Sequence, residues 1–60
     1  MILELTDIAD DAVLVNSQHI AAIQKVQAVT RISFASKDNI LVVKETIEEI
    51  KQQIKAGGIR

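Results

Sequence analysis

The chain has 60 residues, no cysteine, seven basic and eight acidic side chains, and a formal net charge of −1. Without cysteine it builds no disulfide, zinc-thiolate site or thiol redox centre, and its charge balance argues against a broad phosphate-binding surface, which draws on clustered lysine and arginine. A chain this short buries only about 60% of its unfolded surface. Hydrophobic residues make up 48% of it, most of them aliphatic, so apolar surface is left over and a homo-oligomer, favouring a dimer, is expected.

No stretch approaches the roughly 18 consecutive apolar residues of a membrane span. The start, Met1-Ile2-Leu3-Glu4-Leu5-Thr6-Asp7, has neither a basic leader region nor a cleavage site. The expectation is a cytoplasmic protein with no membrane insertion, one domain over residues 1–60, and no cofactor.

Residues 2–6 alternate and are rich in strand formers, with Leu3 and Leu5 on one side and Ile2 and Glu4 on the other. Asp7, Asp10 and Asp11 break the run, because aspartate side chains bond nearby backbone N–H groups and favour turns. Residues 12–16 form the returning strand of a hairpin. Asn16-Ser17-Gln18-His19 is punctuation that suits a turn or a helix N-cap.

The next segment, residues 20–26, is ambiguous. It is alanine-rich, with Ile20 and Ile23 three apart, and periodicity leans slightly to helix. As a strand it places Ile20, Ala22 and Val26 on one face, interrupted by Gln24. Residues 29–34 read as a strand, with Thr30, Ile32 and Phe34 on one side and Val29, Arg31 and Ser33 on the other. Asp38-Asn39 serves as a turn pair, since asparagine tolerates positive φ.

Residues 40–44 return antiparallel. Ile40, Leu41, Val42 and Val43 form a continuous apolar run, the pattern of a central strand buried on both faces. One face is expected to meet a helix and the other a second subunit, so these four residues form the expected interface. The helix spans about residues 46–56. Thr46 and Glu49 have capping-box spacing, and Ile47, Ile50 and Ile54 form one apolar stripe. Glu48, Lys51, Gln52, Gln53 and Lys55 are assigned to its outside, and Gly57-Gly58 ends it.

Little here spells out chemistry. His19 is the only histidine and has no partner at catalytic or metal-ligand spacing, so it reads as a turn residue. The aspartates lack the EF-hand pattern. Glu45, Glu48 and Glu49 are explained by capping and by the helix dipole without a substrate. Lys25, Arg31, Lys37 and Lys44 are the residues that a nucleic-acid-binding reading would use. No aromatic residue interleaves them for base stacking.

The run Val15-Asn16-Ser17-Gln18-His19-Ile20-Ala21-Ala22-Ile23 and the later Val43-Lys44-Glu45-Thr46-Ile47-Glu48-Glu49-Ile50 resemble the small flagellar FlbD proteins, also called swarming-motility SwrD. Those have an Asn-x-x-x-Ile-x-x-Ile segment and a Val-Lys-Glu-Ser/Thr helix start. The resemblance extends from about Ile2 to Ile54 and implies a strand over residues 20–26, a cytoplasmic location and support of flagellar motility. Asp38-Asn39 stands where that family has a hairpin glycine. Weaker likenesses are to the C-terminal half of LytTR DNA-binding domains and to the carbon-storage regulator CsrA, an RNA-binding dimer.

The expected fold class is α+β: a small antiparallel sheet of four or five short strands followed by one C-terminal helix. The leading functional expectation is a non-enzymatic interaction or accessory protein with a protein partner that the sequence does not name. The alternative is a small nucleic-acid-binding regulator acting as a homodimer.

Overall fold

The computed structural model describes residues 1–35 and 39–58. It is α+β, with five antiparallel strands and one C-terminal helix. The strands are β1 (Ile2–Thr6), β2 (Ala12–Asn16), β3 (Ile20–Val26), β4 (Val29–Phe34) and β5 (Ile40–Val43), followed by helix α1 (Ile47–Lys55). They divide into a two-stranded sheet, β1-β2, and a three-stranded sheet ordered β3-β4-β5.

In the hairpin, Leu3 faces Val15 and Leu5 faces Val13 on the core side. The aspartate turn forms as its composition predicts. The Asp7 carboxylate accepts from the N–H groups of Ala9 at 2.8 Å and Asp11 at 3.0 Å, and Asp10 adopts φ 67°. Asn16 then caps a short 3-10 turn, Ser17–His19, by accepting from the Gln18 N–H at 3.0 Å.

Residues 20–26 are strand, against the helical lean of their periodicity. The reason is a β-bulge. Ile20 pairs with Phe34 and Ala22 with Ser33, so Ala21 is the extra residue. A bulge lets residues three apart share one face of a strand. Ile20 and Ile23 both pack against the core, and their spacing imitates a helix for that reason.

Leu3, Leu5, Val15, Ile32, Val43 and Ile50 form the core, none more than 4% exposed. Burial of such side chains stabilises by about 1.5–3 kcal/mol each before entropy is charged. Thr30 is buried among them, and its hydroxyl donates to the Glu45 carbonyl at 2.6 Å.

The capping box at Thr46 and Glu49 is formed in both directions, at 2.9 and 3.1 Å. The helix stripe differs from expectation. Ile50 is buried and Ile47 half-buried, but Ile54 is 40% exposed, and Gln53, assigned to the outside, is half-buried against β1. Gln53 lies three residues after Ile50, on the same side of the helix.

The two sheets and the helix meet along the outer edge of β1. The Gln53 amide accepts from the Glu4 N–H at 3.0 Å and donates to the Glu4 carbonyl at 2.8 Å. The Glu45 carboxylate accepts from the Thr6 N–H at 2.8 Å and from its hydroxyl at 2.9 Å. The Lys44 N–H donates to the Thr6 carbonyl at 2.8 Å, beside an isolated bridge between Asp7 and Val43. Farther along, Gly58, at φ +78°, comes so close to the Ile2 carbonyl that a Cβ there would clash with it. Side chains from the β5–α1 junction and from α1 thus stand in for a missing neighbouring strand.

Candidate interaction face and the basic residues

The strand register sorts the three-stranded sheet into two faces. On the core side lie Ile23, Ile32 and Leu41, then Lys25, Thr30 and Val43. On the other side lie Ala22, Ser33 and Ile40, then Gln24, Arg31 and Val42, with Val26 near the turn. Among the described residues Arg31 is the only charged one on this outer face. Ile40 is 49% exposed and Val26 42%, while Val42, Arg31 and Ser33 are half-buried.

This geometry corrects the expected place of residues 40–43 in the sheet. Residues 40–43 were expected to form a central strand buried on both faces, but β5 ends its sheet and β4 is the middle strand. Val43 is fully buried in the core and Leu41 packs against it, so neither is presented to a partner. Ile40 and Val42 face outward. A continuous apolar run marks burial on one side and an uncovered apolar face on the other equally well.

Of the candidate nucleic-acid contacts that are described, Lys25 and Lys44 come together and Arg31 stands apart. Arg31 belongs to the outer face. Lys25 and Lys44 line a cavity of about 320 Å³ where the β3–β4 turn approaches the start of α1, with Thr30, Thr46, Ile47 and Glu48 also in its wall. Lys44 is ion-paired with Asp10, which offsets its charge locally. Lys37 lies outside the described residues.

The glutamates of the β5–α1 region and Gln53 have structural partners. Glu45 and Gln53 secure β1, Glu49 closes the capping box, and Glu48 stands 3.7 Å from Lys51. His19 is exposed at the end of the 3-10 turn, and its carbonyl accepts from the Ala35 N–H at 2.9 Å. Among the described residues no three His, Asp or Glu side chains assemble as metal ligands, and no helix is long and apolar enough to cross a membrane. Sequence reasoning assigned Gln53 to solvent and missed its bonds to Glu4; its place three residues after Ile50 was the available signal.

No protein-family model, curated protein or solved structure matches the chain.

Proposed function

We propose that this chain is a non-enzymatic, cytoplasmic interaction protein that works through the outer face of its three-stranded sheet. The observation that carries this reading is the face itself. It spans three strands, exposes Val26 and Ile40 and, among the described residues, holds one charge, Arg31, and has no element packed across it. An uncovered apolar face with a polar surround is the usual form of a docking surface. The involvement of Glu45, Glu49 and Asp7 in structural hydrogen bonds supports a non-catalytic reading. The flagellar part rests on the Asn16-to-Ile23 and Val43-to-Thr46 motifs, which resemble FlbD proteins. The nucleic-acid alternative draws less support, because Lys25 and Lys44 converge on one cavity while Arg31 faces the other way.

The test is a gene deletion complemented by wild type or by the double variant Ile40→Lys/Val42→Lys. The double variant should keep its circular dichroism and fail to restore motility. Restoration equal to wild type by that variant would count against the face. Salt-sensitive retardation of random RNA or duplex DNA, lost in Arg31→Glu, would favour the nucleic-acid reading instead.

A further inference from the structure

We propose that two copies of this chain pair antiparallel through the free edge of β3, about a twofold axis at Gln24, to make one continuous six-stranded sheet. This inference does not require the sheet face to be the working surface.

Backbone geometry identifies the edge. Val26 and Val29 flank the two-residue turn Gln27-Ala28, so they exchange ladder hydrogen bonds, and the alternation of an antiparallel pair gives Gln24 and Arg31 the same role. The N–H and C=O groups of Ile23 and Lys25 therefore point away from β4. Among the described residues no hydrogen bond reaches them. Five of the seven β3 residues are exposed. Helix α1 touches β3, but from the core side, where Ile50 and Ile23 belong to one apolar cluster. An unpaired edge of this length is a template for another strand.

The strand's own composition selects a second copy. With the axis at Gln24, Ile23 lies opposite Lys25 of the second copy, and Ala22 lies opposite Val26. The outward groups of Ile23 and Lys25 then form about four hydrogen bonds across the axis. Lys25, the only charge on β3, meets an isoleucine. An axis at Lys25 would set two ammonium groups face to face, a destabilising pairing, and one at Ile23 would set Lys25 against the bulged Ala21. The two Gln24 side chains become neighbours, and each amide offers both a donor and an acceptor to the other. The bulge at Ala21 ends the regular ladder at Ala22, which bounds the register. Such a contact is isologous and closes as a dimer, whereas pairing β3 with the edge of β2 would leave free ends and propagate.

The chain has no cysteine, so Gln24→Cys places one thiol at an exposed position. Opposed residues of a non-hydrogen-bonded pair have Cα atoms about 4.5 Å apart, within the range a disulfide spans. Under mild oxidation Gln24→Cys should form covalent dimer at least about tenfold faster than Gln52→Cys, an exposed helix control, because pairing raises the local thiol concentration. Wild type should sediment as a dimer. Ala22→Lys should shift it to monomer with unchanged circular dichroism, while Ile40→Lys/Val42→Lys stays dimeric. A wild-type monomer at millimolar concentration, or cross-linking of Gln24→Cys no faster than the control, would overturn the pairing. A dimer broken by the Ile40/Val42 pair but not by Ala22→Lys would also overturn it and would point to association through the sheet face.

Discussion

The outer edges of β1 and β3 pose the same chemical problem and receive opposite treatment. At β1, the N–H and C=O groups of Glu4 and Thr6 are all engaged, by Gln53, Glu45 and the Lys44 backbone. At β3, the corresponding groups of Ile23 and Lys25 have no partner among the described residues. A small domain has few side chains to place. That it uses a glutamine, a glutamate and a close-approach glycine along one edge and, among the described residues, none along the other teaches that the first edge is internal architecture. The second is the edge through which we propose that another copy pairs.

The comparison breaks most completely if α1 is removed from the core. Ile50 is 1% exposed, so Ile50→Asp would bury an unpaired carboxylate, a cost of several kcal/mol against a marginal stability. The expected outcome is loss of the cooperative thermal transition, with the β1 edge opened as α1 leaves. A folded variant with an unchanged melting curve would show that the helix does not hold the edge.

Smaller changes address the edge itself. Glu45→Ala removes the acceptor for two Thr6 donors and should destabilise by about 2 kcal/mol. Gln53→Ala releases two bonds nearer to solvent and should cost about 1 kcal/mol, a fall of about 4–8 °C in melting temperature. Thermal melts in dilute protein check both, and a Gln53 effect larger than that of Glu45 would reverse the ranking. Ala22→Lys, on the β3 side, should leave the melting of dilute protein within about 0.5 kcal/mol of wild type, since surface substitutions away from a packed feature do little.

Much of this was legible in the residues. The hairpin strands showed through the inward alternation of Leu3 and Leu5, and the helix start through Thr46 and Glu49, because local rules alone set both. The strand of residues 20–26 was expected only through the family resemblance and was hidden from periodicity, because a bulge borrows the i, i+3 spacing that periodicity assigns to helices. The edge position of β5 was hidden because hydrophobicity reports that a side chain avoids water, not whether this chain or another one covers it. That is why Ile40 and Val42 stood beside Leu41 and Val43 in one expected interface, although the pleat sends them to opposite faces. Gln53 was hidden for a related reason: a polar residue on a helix reads as exposed until a strand edge supplies its partner.

Amide hydrogen exchange, followed residue by residue in dilute and in concentrated protein, compares the two edges most directly. The Glu4 and Thr6 amides should be protected equally at both concentrations, since their acceptors lie within the chain. The Ile23 and Lys25 amides should exchange rapidly in dilute protein and become protected on concentration. Protection of Ile23 and Lys25 that does not change with concentration, or fast exchange there at every concentration, would contradict the account.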